Sequence, residues 1–285
     1  MSLFHERSGK FSPEKTIALL GSVLPAVALA AWAIGGDLGG RPVSAAIHFT
    51  GLWAIRLLLI SLAVTPARRI FHWPKLVLAR RILGVAAMAY AALHLVLFVM
   101  DQGWNIQVAA REIVLRFYLT IGAVGVALLL ALGATSFDNV IRRMGAKRWN
   151  ALHASVYGIA ILASIHFFIQ SKLDVTEAVM MSGLLIWLFA YRIWHHRTNA
   201  VGPRALLGLA LISGVLTALL EMAWYGAFTG ISPWMVAQAN FQPAQGISPA
   251  GYVLAAGLAV AAAGWVRLHL VPPAKLAKTR APART

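Results

Sequence analysis

The 285-residue chain contains no cysteine. Disulfides, thiolate-held zinc, iron–sulfur clusters, cysteine nucleophiles and thioether-linked haem are therefore excluded, and any redox or metal chemistry must use histidine, methionine, carboxylates or a bound organic cofactor. Charge is also scarce: Asp, Glu, Lys and Arg make up 12% of the residues, about half the share of an ordinary soluble domain. Acids are the scarcest of all, with 9 Asp and Glu against 25 Lys and Arg and a formal charge of +16. No Walker phosphate loop, dinucleotide fingerprint or nucleophile–base set occurs, so no nicotinamide-binding segment is expected within the chain.

What the sequence has instead is apolar length. Hydrophobic residues make up 60% and the mean hydropathy is +0.74. A water-soluble globule does not look like this, and the length accommodates about eight spans of roughly 20 residues each. Apolar stretches at 17–35, 46–65, 82–100, 117–135, 150–169, 177–194, 205–225 and 250–270 predict an all-α integral membrane protein, a bundle of about eight transmembrane helices. A transmembrane barrel would show ten-residue alternating segments instead. The first stretch is too long for a signal-peptide core and Gly35-Gly36-Asp37 is no cleavage site, so it is expected to remain as a span. The expected divisions are an N-terminal segment at 1–16, a six-helix core at 17–197, a two-helix extension at 198–272 and a basic tail at 273–285. The uncharged stretch 226–249, rich in Gly, Pro, Gln and Asn, reads as an ordered or lipid-skimming outer loop.

Sorting the basic residues by segment explains the net charge. Twenty of the 25 fall in the N-terminus, the loops after spans two, four and six, and the tail. Four fall in the alternate loops, and Arg56 lies inside span two. This positive-inside bias predicts both termini in the cytoplasm of a bacterial cell, with the chain crossing the inner membrane an even number of times. Nucleic acid is not needed as a partner to account for the charge.

Nine histidines remain as candidates for holding a redox centre. Ionisable groups inside spans are costly and commonly face a functional path. At 1.5 Å per residue, His94 lies about 18 Å and His166 about 24 Å from the basic side, and His153 only about 5 Å. His48 opens span two at the opposite side. Two neutral imidazoles at similar depth on different helices suit bis-axial ligation of a haem iron. His153 and His166 are about 20 Å apart along one span, too far for a single haem and right for one near each face. On a straight helix their phases would differ by about 220°, so tilt or a local bulge must intervene. The competing reading is plain: a lone intramembrane histidine is about as often a packing residue bonded to a carbonyl. Glu221 in span seven, beside Trp224 and Tyr225, reads first as a hydrogen-bonded carboxyl and second as a quinol or proton ligand. The tryptophans mostly lie near span ends, as interfacial belts do.

At these histidines the sequence resembles the MsrQ (YedZ) family, haem-binding membrane subunits of the MsrPQ methionine sulfoxide reductase system, within the ferric-reductase-like transmembrane superfamily. The matching stretches include His48-Phe49-Thr50-Gly51, Arg80-Arg81-Ile82-Leu83-Gly84, Ala92-Leu93-His94, Arg148-Trp149-Asn150-Ala151-Leu152-His153 and Ala163-Ser164-Ile165-His166. The likeness covers about residues 15–197. It departs at Arg116-Phe117-Tyr118, where the family often has Arg-Pro-Tyr, and beyond span six, where the short family form ends.

The resemblance implies b-type haem, one or two, held through iron by His94, His153 and His166, with FMN also associated with the family. It implies electrons from the quinol pool or a cytosolic flavin reductase, passed to a periplasmic molybdopterin MsrP-type catalytic subunit. Within that frame His94 and His166 are expected to pair, and His153 to serve an inner haem with another ligand. Arg80 and Arg81 are candidates for haem propionates, since guanidinium forks suit carboxylates, and equally for membrane anchors. His48, Arg148, Trp149 and Glu221 are candidate quinone or cofactor contacts. The competing classes are a haem-free transporter and a ferric-reductase-type oxidoreductase with a different partner. Purified protein is expected to show a visible haem spectrum; colourless protein would favour the transporter.

Overall fold

In a computed structural model, the structure describes residues 4–6, 9–172, 174–242 and 246–270; the basic tail read at 273–285 lies outside the described residues. Helices account for nearly all of it: α1 (Pro13–Gly35), α2 (Pro42–Ile70), α3 (Val77–Asp101, preceded by a 3₁₀ turn at Pro74–Leu76), α4 (Ile106–Leu115), α5 (Phe117–Ala134), α6 (Asp138–Met144), α7 (Ala146–Ala154), α8 (Val156–Ser171), α9 (Thr176–Thr198), α10 (Pro203–Phe228), α11 (Pro233–Ala239) and α12 (Pro249–Leu270). Eight helical stretches are long and apolar enough to cross a membrane, as the hydropathy predicts.

Local chemistry sets the boundaries. Proline opens α1, α2, α10 and α11, where its missing N–H costs nothing and its fixed φ suits the first turn. Ser12 caps α1, and Gly36 ends it in the left-handed region at φ 77°. Hydroxyls within the spans, such as Ser22, Thr50, Ser164 and Thr217, donate to carbonyls one turn back, which satisfies them away from water. The N-terminal segment is tied to the turn before α3. There Trp73 Nε1 donates to Glu14 at 3.0 Å and Lys75 pairs with Glu6 at 2.9 Å.

The helices α2 and α3 form the most extensive pair, with α1 against α3, and α5 against both α3 and α8. The helix α9 packs on α2 and α8 and carries α10 and α12 on its other side. One large apolar core, including Leu57, Leu62, Ala87, Ile159 and Tyr191, runs through these contacts. Outward-facing residues such as Leu24, Ile34, Leu211 and Val215 are apolar and exposed, the surface a helix presents to lipid.

Three features depart from the sequence reading. The fifth span, Ala146–Ser171, runs as α7 and α8 with a tightened turn at Ser155, whose φ −60° and ψ −16° remain right-handed helical. The outer loop after α3 contains the amphipathic α4, whose Ile106, Val114 and Leu115 are exposed. Trp187 is no interfacial belt residue: it is buried within α9 and stacked near Tyr191 with ring centres 5.8 Å apart.

The extension is seated by close backbone approach. A Cβ at Gly183 would meet Thr217 Oγ1 at 2.3 Å and Val253 Cγ2 at 2.6 Å, on α10 and α12. Gly257 faces Ala210 in the same way, with a Cβ contact of 2.7 Å. Gly183→Val is therefore expected to destabilise the protein by about 1–3 kcal/mol through overpacking. The measurement is a lowered unfolding midpoint, with increased proteolysis in the 199–202 connection.

Candidate functional site

A cavity of about 680 Å³ opens between α2, α3, α5 and α8. Its walls are mostly apolar, and His48, His94 and His166 are its histidines. His94 on α3 bonds the carbonyl of Ile47 through Nδ1 at 2.8 Å. His166 on α8 bonds the carbonyl of Tyr118 through Nδ1 at 2.7 Å. A carbonyl only accepts, so each Nδ1 carries the proton and each Nε2 is left as a lone pair. Neither Nε2 has a protein hydrogen-bond partner among the described residues. This is the outer bond that metal-ligating histidines make: it fixes tautomer and ring orientation and raises basicity.

The two rings face each other with centres 6.3 Å apart and planes at 86°. A metal–nitrogen bond is about 2 Å and an imidazole centre lies roughly 1 Å behind its nitrogen, so two rings flanking one metal sit about 6 Å apart. The observed ring-centre spacing of 6.3 Å matches that figure. Among the described residues no group of three or more His, Cys, Asp or Glu side chains gathers to hold a bare ion. Two opposed imidazoles suit an iron whose other positions are filled by a porphyrin.

Glycines make room for both rings. A Cβ at Gly51 on α2 would lie 3.0 Å from His94 Nδ1, and one at Gly122 on α5 would lie 2.8 Å from His166 Nδ1 and Cε1. Gly122 thus packs against the imidazole, whereas a Cβ at Gly125 would meet nothing within 4 Å and Gly125 lines the cavity. The departure at Arg116-Phe117-Tyr118 is also placed. Arg116 is extended and separates α4 from α5, which brings the Tyr118 carbonyl to His166.

The structure does not bring His153 to this pair. His153 lies at the basic end, its ring stacked on Trp149 at 4.0 Å and its Nε2 3.2 Å from the Thr135 hydroxyl. Trp149 Nε1 donates to the Thr135 carbonyl at 3.0 Å, so the three residues form one cluster joining the end of α5 to α7. The tightened turn at Ser155 falls between His153 and His166. Arg80 is exposed and lies within electrostatic reach of His153. Arg81 instead pairs with Asp138 at 2.7 Å. Arg148 is exposed.

Glu221 lies apart, buried on α10, with Asn240 Nδ2 donating to it at 2.9 Å. The hydrogen-bonded carboxyl predicted first for this residue is what the structure shows. One charged pair escaped the sequence reading: Arg56 reaches both oxygens of Glu177, at the rim of the cavity, at 3.1 Å and lies over Trp53 at 5.4 Å. The lone basic residue within span two was the available signal, because a charge at that depth needs a partner.

Fold and paired-imidazole cavity together define a helical membrane protein of the ferric-reductase-like class. Residues 50–164 match the family described as "Ferric reductase like transmembrane component". The chain also resembles three proteins named "Protein-methionine-sulfoxide reductase heme-binding subunit MsrQ". That of Rhodospirillum rubrum is 38% identical over 172 residues, 60% of this chain and 83% of that protein. Those of Azospira oryzae and Caulobacter vibrioides are 33% and 37% identical, over 67% and 58% of this chain and 82% and 79% of their own lengths. The chain belongs to the MsrQ family. No solved structure matches it.

The glycine contacts give a sharp test. Gly122→Ala is expected to displace the His166 ring and lower haem affinity on the order of tenfold or more, as loss of outer support does at metal sites. Gly51→Ala, where the contact is looser, is expected to have the smaller effect. Gly158→Ala on α8, which meets nothing within 4 Å, is expected to leave haem per protein unchanged.

Proposed function

We propose that this chain is the membrane electron-transfer subunit of a methionine sulfoxide reductase system. It takes electrons at its basic end and delivers them at the opposite end to a periplasmic molybdopterin catalytic subunit of the MsrP type. The observation that carries the reading is the pair His94 and His166. Two neutral imidazoles, each with Nδ1 committed to a carbonyl, face one another across an apolar cavity at the spacing of axial ligands. Haem b is the group this site would hold, and it would supply one-electron chemistry. The chain's own part is to hold both rings in the ligating tautomer, exclude water with apolar walls and keep the site rigid through Gly51 and Gly122.

The excess of Lys and Arg in alternate loops supports an inner-membrane location with the basic end and both termini cytoplasmic. On that orientation the His153–Trp149–Thr135 cluster lies on the cytoplasmic side. Quinol, or a flavin reduced by a cytosolic reductase, meets the chain there, against the planar Trp149–His153 stack and the exposed cations of Arg80 and Arg148. FMN would bind in the same way. A second haem at His153 would require Thr135 to release Nε2 and another ligand to approach, so the geometry favours one bis-histidine haem. His48 closes the opposite end of the cavity, and Glu221 belongs to the scaffold of the extension.

A redox-titrated spectrum tests the assignment. His94→Ala and His166→Ala are each expected to lose the low-spin b-haem bands. His153→Ala is expected to keep them while slowing reduction by a quinol analogue. Unchanged bands in both of the first two variants would sink the pairing; a second spectral component lost only in His153→Ala would establish a second haem. For orientation, a reporter active only in the periplasm is expected to be active when inserted after Asp37 and inactive after Arg143.

A further inference from the structure

A second cavity, about 750 Å³, lies at the basic end between the end of α2, the end of α9 and the two helices of the extension. Arg68, Arg69, His72 and His195 line one part of it, and Leu206 and Leu268 another. No carboxylate lines it, and neither Arg68 nor Arg69 takes part in an ion pair among the described residues. Arg192 and Arg267 are spent elsewhere: Arg192 donates to the Leu62 and Leu188 carbonyls, and Arg267 to the Phe71 carbonyl.

Three observations point to an anion. Two adjacent arginines line the cavity without a carboxylate among the lining residues, which leaves their charge available to an anion. The start of α10, a 26-residue helix, faces the cavity through Gly202 and Pro203 with no side-chain cap, so its positive end is uncompensated. His195, stacked on Tyr191 with ring planes at 8°, has Nδ1 buried without a hydrogen-bond partner among the described residues. Tyr191, which also lines the cavity, is fully buried and lies within electrostatic reach of Arg69.

We infer that this cavity is a binding site for a phosphate ester, created where the extension closes against the core. The apolar side formed by Leu206 and Leu268 favours the headgroup of an anionic phospholipid, with its chains leaving along α10 and α12. Basic pockets between spans on the cytoplasmic side take such headgroups. The site gives the two-helix extension a role the haem cavity does not: a lipid held there joins α2 and α9 to α10 and α12.

The test uses the purified full-length, haem-loaded protein. Its unfolding midpoint is followed while phosphatidylglycerol, phosphatidylcholine or inorganic phosphate is added, and retained lipid is read by native mass spectrometry. Phosphatidylglycerol is expected to raise the midpoint and remain bound, and phosphatidylcholine to do neither. Arg68→Gln/Arg69→Gln is expected to weaken the response at least tenfold. Arg142→Gln/Arg143→Gln, on the other basic loop, is expected to leave it unchanged. His72→Asn keeps the left-handed conformation at φ 48° and serves if the double variant fails to fold; a several-fold weakening is expected. A response to inorganic phosphate equal to that of the lipid would keep the site and make its source soluble. No response in the wild-type protein, or an equal loss in the Arg142/Arg143 variant, would overturn the proposal.

Discussion

Two hydrogen bonds decide what this bundle is able to do: Nδ1 of His94 to the Ile47 carbonyl and Nδ1 of His166 to the Tyr118 carbonyl. In hydrocarbon a helix normally keeps every carbonyl for its own ladder. Ile47 lies in the second turn of α2 and Tyr118 in the first turn of α5, and each offers its oxygen to a side chain as well. That bond keeps a proton on each Nδ1 and orients the ring, so that in the neutral imidazole the lone pair is on Nε2. Much of the surrounding structure serves those two contacts. The extended Arg116 starts α5 at the right place, and Gly51 and Gly122 let α2 and α5 approach the rings.

The spans, their number and the approach of His94 to His166 were legible from hydropathy and from 1.5 Å of rise per residue. Pairing by depth works because a membrane reduces placement to nearly one dimension. What depth cannot supply is azimuth. On a straight helix His153 and His166 point in different directions, and only the structure shows where each goes: His153 to Thr135 and Trp149, His166 to the Tyr118 carbonyl and the ring of His94. Gly122 was visible as a small residue, but its partner was not, because a glycine's contact lies on another helix. Trp187 failed the belt expectation for the same reason: the extension covers it.

Charge shows the same division. The loop-by-loop count places 20 of the 25 Lys and Arg in the termini and the loops after spans two, four and six. It treats every cation alike, whereas the structure separates them. Arg81, Arg56 and Lys75 have acids; Arg192 and Arg267 have carbonyls; Arg68 and Arg69 gather in a cavity with none. Topology and recognition draw on the same residues, and only three-dimensional placement tells them apart.

At Ser155 the fifth span tightens a turn without leaving the helix. The residue keeps right-handed angles, φ −60° and ψ −16°, and its N–H reaches the Leu152 carbonyl, three residues back. What lies before and after this turn is held by the same neighbour. The residue that ends α5, Thr135, holds Trp149 and His153, and the Tyr118 carbonyl in the first turn of α5 holds His166. The length of α5 is therefore a ruler for the fifth span: one residue inserted into it would shift the two anchor points against each other, and no repacking at either end alone would restore both.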